Sequence, residues 1–326
     1  MIECSGLKKR GMNMEKANNI RSSVYLSLTA VIWGVAFVFQ SMGNDSMEPF
    51  SFTASRYFLG FLFLVPILII KYHHPRFLAD NDEIPLKKIP KKLTLIGGVL
   101  CGLALGIATM FQQYGVKYTT VGKAGFITTL YIILTPIFGL FLRRRCHFTV
   151  WIGATAALFG MYLLCVKDGF YIEFGDMLVF VCAIFYTFHI MIIDHFAPKT
   201  NGVLLSCLQF FVSSVLCGIL AFIFESPSLA QIQDGLIPVL YTGIMSSGVA
   251  YTMQILGQRN FNPTIAAMIM SFESVISAIA GYFAYQWGFL TVEQSLSALQ
   301  IIGCVIMFAA VIFVQLPFDK LKRRTD

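Results

Sequence analysis

Apolar residues along this chain do not alternate at the two-residue period of a strand, and they do not leave a polar face at every turn as a soluble helix would. They come in long runs, roughly Val24–Met42, Phe50–Ile70, Leu93–Tyr114, Gly125–Leu142, Phe148–Val166, Gly175–Ile193, Gly202–Phe224, Leu236–Leu256, Thr264–Trp287 and Leu296–Val314. About 20 consecutive apolar residues cross a hydrocarbon core as a helix. The pattern predicts an all-α integral membrane protein of ten transmembrane helices. The connections are tight hairpins apart from Lys71–Lys92, which leaves no room for a soluble catalytic domain. Residues 1–22 are polar and basic and are expected to form a cytoplasmic tail, as are residues 317–326. The run Val24–Met42 is too long for a signal-peptide core, and no A-x-A site follows it, so it is read as the first, uncleaved span.

Composition agrees with the pattern. The chain has 326 residues, of which 57% are hydrophobic and only 13% charged. Soluble domains carry about 25% charged residues. The net charge of +7 is a matter of topology. With both termini on one side, the N-terminus, alternate loops and the C-terminus hold twenty Lys and Arg, against Lys117, Lys123 and Lys167 on the other. Positive residues favour the cytoplasmic side, so both termini are expected inside, and no nucleic-acid patch is implied. The eight cysteines are scattered, mostly within apolar runs, with no C-x-x-C pair. They read as small packing residues, not as a metal or disulfide framework.

Ten spans with both ends inside permit two halves of five, residues 23–166 and 167–316. An odd-numbered repeat inserts upside-down relative to its copy. Ala30-Val31-Ile32-Trp33 lines up with Ala183-Ile184-Phe185-Tyr186, and at the same offset Ser55-Arg56-Tyr57-Phe58 falls on Leu208-Gln209-Phe210-Phe211. Segment three carries Gly98, Gly102 and Gly106 one turn apart, and its counterpart, segment eight, carries Ser246 and Ala250. Small residues at this spacing let helix backbones approach closely. Inverted repeats around a midplane site are a transporter architecture.

Several stretches resemble the drug/metabolite transporter superfamily, in its form with two EamA domains. They are Ile32-Trp33-Gly34-Val35-Ala36-Phe37, Phe52-Thr53-Ala54-Ser55-Arg56-Tyr57, and GVKYTTVGKAGFITTLYIILTPIFGLFLRRR from Gly115 to Arg145. Gln209 matches the family's helix-two glutamine in the second half, and Glu273 matches the glutamate of its helix-nine Glu-Pro. The resemblance covers nearly the whole chain from Val24 to Val314. It implies ten helices around a cavity lined by helices one, three, four, six, eight and nine, and the movement of amino acids, other metabolites or toxic compounds, often outward. Ser274 stands where many members have proline, so a regular helix is expected through Glu273. The first-half counterpart, Thr135-Pro136, keeps its proline.

Glu273 is the sharpest candidate for chemistry. It lies near the middle of Thr264–Trp287, and an ionisable side chain at that depth usually faces a bundle interior or wet cavity. It could bind an amine or carry a proton, so proton coupling is an expectation; the alternative is a carboxyl bonded to a neighbouring helix for packing. Arg56, the other charge inside a span, could hold a substrate carboxylate, but snorkelling outward or locking two helices is the favoured reading. His189 could relay protons, though a lone histidine in a span more often packs. Trp33, Tyr131, Tyr186 and Tyr251, with Gln40, Gln112 and Gln254, could form a cavity of apolar walls and a few hydrogen-bonding groups, the usual make-up of a small-molecule site. Thr135 joins these candidates beside Pro136. Trp287 and Tyr118 read as interfacial anchors. Gly122-Lys123-Ala124 resembles the end of a P-loop, but Lys117 replaces its first Gly and Ala124 its Ser/Thr, so nucleotide binding is rejected. No catalytic motif or metal-spaced cluster is found and no cofactor is expected.

The expectation is a secondary transporter of the inner or plasma membrane, not an enzyme, exporting a small metabolite such as an amino acid by alternating access. An importer or exchanger of the same fold, toxic-compound efflux, and a non-transporting membrane subunit or enzyme are the alternatives.

Overall fold

The structure is a computed structural model and describes residues 2–74, 84–141, 148–165, 173–261, 263–294 and 297–315. Ten helical units follow one another: α1 Ile2–Ser46, α2 Pro49–His73, α3 Lys91–Tyr118, α4 Val121–Phe141, α5 Phe148–Cys165, α6 Phe174–Lys199, α7 Gly202–Phe224, α8 Leu236–Gln258, α9 Pro263–Gln286 and α10 Ala298–Gln315. Eight are long and apolar enough to cross a membrane, and α5 and α10 contain the shorter apolar stretches Trp151–Gly160 and Ala298–Ala310. Helix is the form such runs take, since a lipid core offers no partner for an unpaired backbone group. Proline opens α2 and α9, where its missing N–H costs nothing. Thr120 and Asn201 cap α4 and α7 through their side-chain oxygens.

The expected tail differs in one respect. Helix α1 begins at Ile2, so the polar segment before the first span continues the helix. It contains no proline and many residues that tolerate helix well. Arg143–Arg145, Lys167 and residues 317–326 lie outside the described residues.

Packing follows a two-fold pattern in which α1–α5 correspond to α6–α10. Helix α1 packs on α9 as α6 packs on α4, α3 on α6 as α8 on α1, and α3 on α7 as α8 on α2. The pairs α2–α7, α4–α9 and α5–α10 join mates directly. The fold is therefore ten helices in two inverted five-helix repeats. Two close approaches carry the symmetry. A Cβ on Gly102 of α3 would lie 2.8 Å from the carbonyl oxygen of Gln209 on α7, and one on Gly243 of α8 would lie 3.0 Å from the carbonyl oxygen of Arg56 on α2. Gln209 and Arg56 are the residues that the sequence offset pairs. The small residues of α8 at this seam are thus Gly243 and Gly248, the latter against Phe63, and not Ser246 and Ala250. Ser246 faces inward, and the carbonyl of Ala250 accepts a hydrogen bond from Thr29 Oγ1 at 3.0 Å.

Three of the units are not regular helices. In α4, Leu130, Ile132 and Ile133 bond three residues back, just before Pro136, which has no N–H to give. In α8, Tyr241–Tyr251 winds as a π-helix, and Ser247 Oγ donates to the carbonyl of Thr242 at 2.8 Å. The regular helix expected through Glu273 is not found. α9 breaks at Ser271 into Pro263–Met270 and Phe272–Gln286. Serines supply what the missing proline would have done. The hydroxyls of Ser271 and Ser274 each donate to the carbonyl three residues back, both at 2.7 Å, and compete with the helical ladder at the break.

Candidate functional site

The breaks in α4 and α9 and the π-stretch of α8 meet around a narrow cavity between the two repeats. Local departures from α-helix are common at functional sites because they free backbone groups and redirect side chains. Helix α1 contributes Trp33, Ala36, Phe37 and Gln40, one face of its middle turns. Gln112 comes from α3, Thr128 and Tyr131 from α4, and Tyr186 and Ile190 from α6. Ser246, Tyr251 and Gln254 come from α8, and Met270 and Glu273 from α9. Trp33 and Tyr186, matched by the repeat offset, face the same space.

Glu273 is 3% exposed and its Oε1 accepts a hydrogen bond from Tyr131 OH at 2.9 Å. Across the cavity, Tyr186 OH donates to Gln112 Oε1 at 3.2 Å and lies 2.9 Å from Tyr251 OH. Gln112 Nε2 in turn donates to Thr128 Oγ1 at 3.2 Å. The Trp33 indole tilts against the Tyr251 ring, centroids 4.5 Å apart, and its Nε1 donates to the carbonyl of Ser246 at 3.3 Å. The aromatic wall is thereby held from both repeats.

Several lining groups have no partner. The Oε1 atoms of Gln40 and Gln254 and the Nε of Arg56 are buried without a hydrogen bond. Buried unsatisfied polar atoms are few in folded proteins. Three such atoms belong to residues that line this cavity, two acceptors and a cationic donor without a protein partner. Among the described residues no cluster of His, Cys, Asp and Glu suited to a metal occurs.

Two sequence candidates lie outside the cavity lining. Thr135 donates its hydroxyl to the carbonyl of Tyr131 at 2.6 Å, a contact within its own helix. His189 is fully buried, with Nε2 3.0 Å from Gln209 Oε1 between α6 and α7. Its ring lies against Tyr251 and Tyr186 at centroid distances of 5.9 and 6.4 Å, behind the wall they form. Arg56 does the opposite of snorkelling. It is 2% exposed and lines the cavity, adding α2 to the helices the resemblance implied. Ser246, Thr128 and Met270 were missed because nothing in composition separates a cavity serine, threonine or methionine from one in a packed seam.

The fold has counterparts among known proteins. A solved crystal structure of a protein, 18% identical, superposes with a TM-score of 0.68, covering 94% of this chain and 99% of the other. An uncharacterized transporter of Archaeoglobus fulgidus is 28% identical over 97% of this chain and 92% of its own length. The uncharacterized transporter YoaV of Bacillus subtilis is 21% identical over 90% and 96% respectively. The sequence profile of the EamA-like transporter family matches twice, at residues 21–166 and 173–316. With one match on each inverted repeat and a cavity built from both, the chain is a multi-pass membrane protein belonging to the EamA-like transporter family.

Proposed function

We propose that this protein is a secondary transporter that exports a small metabolite, such as an amino acid or a related compound, across the inner or plasma membrane. The observation that carries the reading is the cavity between the repeats, where Glu273 and unpartnered polar groups stand among aromatic walls. Each repeat, residues 23–166 and 167–316, moves as a unit against the other. The site is thus opened to one side at a time. The excess of Lys and Arg in alternate loops supports cytoplasmic termini. Glu273 has two roles open to its carboxylate: to receive the ammonium group of the cargo, and to exchange a proton as the site changes sides. Tyr131 orients it in both.

The test is the extracellular metabolite profile of cells overproducing the protein, beside cells overproducing Glu273→Gln. A compound that accumulates outside only with the wild type supports export and a mechanistic role for Glu273. Profiles that match each other and an empty-vector control overturn export of an ordinary metabolite. Proton coupling is tested separately in proteoliposomes. If Glu273→Gln moves the cargo at wild-type rate across an imposed pH range, the carboxyl carries no proton in the cycle.

A further inference from the structure

We propose that Arg56 is an anion-binding subsite of the central cavity, built to take a carboxylate of the transported molecule. This rests on the transport reading above and adds the group the cargo must carry.

A guanidinium inside a membrane bundle is costly and normally pairs with a carboxylate or a cage of carbonyls. Arg56 does neither. No carboxylate among the described residues lies within ion-pair distance of it, and its Nε has no acceptor. What holds it is aromatic. Its central carbon sits 5.0 Å from the centroid of the Tyr57 ring and 5.8 Å from that of Phe52. Rings attract the flat face of a guanidinium. The N–H donors lie in its plane, around its edge. The rings therefore position the group without using up its hydrogen bonds, and the side chain is part of the cavity lining.

Repeat symmetry separates this from an architectural role. The mate of Arg56 is Gln209, which occupies the matching place on α7, and the α2–α7 seam is closed there by a neutral amide whose Oε1 is paired with His189. The seam needs no cation at this position. The charge was placed in one repeat only, on the side where it lines the cavity.

Charge and shape select the ligand class. No other Arg and no Lys or His lines the cavity, which argues for a single negative charge over a phosphate dianion. The planar fork of one Arg matches a carboxylate with two parallel hydrogen bonds. Glu273, engaged by Tyr131, lies on the same cavity but is not paired with Arg56. A molecule carrying one carboxylate, with a cationic or hydrogen-bond-donating group for Glu273, would complement both.

The experiment measures binding and transport on the full-length protein. In detergent, at constant chloride, the probes are the twenty amino acids, a series of short aliphatic monocarboxylic acids, and the methyl esters of both. A saturable rise in unfolding temperature with at least one free acid, absent for its ester, is expected. Arg56→Gln should weaken that acid about tenfold or more, the scale of a lost hydrogen bond to a charged group. Arg56→Lys, which keeps the charge, should retain part of the affinity and serves if the glutamine variant does not fold. Equal binding of acid and ester, affinity in Arg56→Gln within twofold of wild type, or no saturable binding of any acid overturns the subsite. Proteoliposome efflux of the same acids separates the two proposals. Binding that depends on Arg56 without efflux overturns transport and leaves the subsite standing. Efflux of an acid that is indifferent to Arg56→Gln overturns the subsite and leaves transport standing.

Discussion

Tyr131 on α4 donates its hydroxyl to Glu273 Oε1 on α9 at 2.9 Å, joining mates of the two repeats across the cavity. Both residues are buried, and this is the only hydrogen bond to the Glu273 carboxylate among the described residues. The phenol therefore aims the acid as well as satisfying it. Tyr131→Phe keeps the ring and removes the donor. A hydrogen bond to a charged group is worth about 1.5–3 kcal/mol. We expect folded protein at near wild-type yield and export slowed about tenfold, which corresponds to roughly 1.4 kcal/mol. The check is the initial efflux rate of the identified cargo from proteoliposomes, beside a melting curve. Wild-type efflux would show that Tyr131 plays no part in presenting Glu273.

A second prediction concerns the end of the bundle at the α3–α4 turn. Lys123 Nζ lies 3.3 Å from Asp176 Oδ2 and 3.5 Å from Glu173 Oε2, and the other Asp176 oxygen accepts the Thr119 hydroxyl at 2.6 Å. Lys123 and Asp176 are buried, whereas Glu173 is 45% exposed at its side chain. Removing one partner of a buried pair costs about 3–5 kcal/mol, because the other charge is left without compensation. An exposed pair is worth about 0–1 kcal/mol. Asp176→Asn should lower the unfolding temperature in detergent far more than Glu173→Gln. Equal shifts in the two variants would contradict the assignment. Because the pair ties α4 of one repeat to α6 of the other, Asp176→Asn should also change the efflux rate.

The broken helix at Ser271 makes a third expectation. Proline inside a regular helix costs about 3 kcal/mol or more, from a lost hydrogen bond and a clash with the carbonyl four residues back. At Ser274 the backbone N–H already bonds three residues back, to Ser271 O at 3.1 Å, so the ladder is already interrupted. At Ser277, one turn further on, α9 is a continuous helix packed against Gly125. Ser274→Pro should therefore fold and transport, and Ser277→Pro should be recovered poorly. Their relative yields after membrane extraction and size-exclusion chromatography decide the matter. Comparable losses at both positions would show that the serines do not break the helix.

Much of this architecture could be read directly along the chain. Spans were legible because burial in lipid imposes one rule on every residue of a run, whatever its neighbours. The repeat was legible in part: the offset that aligns Trp33 with Tyr186 and Arg56 with Gln209 pairs residues that also correspond in the packing. Eight of the ten cavity candidates line one space, because aromatic and amide groups inside a bundle are rarely placed there without a polar neighbour. Thr135 and His189 do not, and no feature of their local sequence distinguishes them from those that do.

Orientation of side chains between helices is where local reading stopped. Whether Arg56 turns outward, locks two helices or faces the cavity depends on the rotation of α2 against α7 and α8, set by contacts far away in sequence such as Gly243 against the backbone of Arg56. The break before Glu273 depended on where the hydroxyls of Ser271 and Ser274 find acceptors, and the π-stretch of α8 on how eleven residues wind between α1 and α2. Hydrophobicity is a property each residue carries alone, so it placed the spans and divided the chain in two. Direction around a helix axis is a property of pairs that meet only after packing, so the pairing of Tyr131 with Glu273 and the unpaired Nε of Arg56 emerged only in three dimensions.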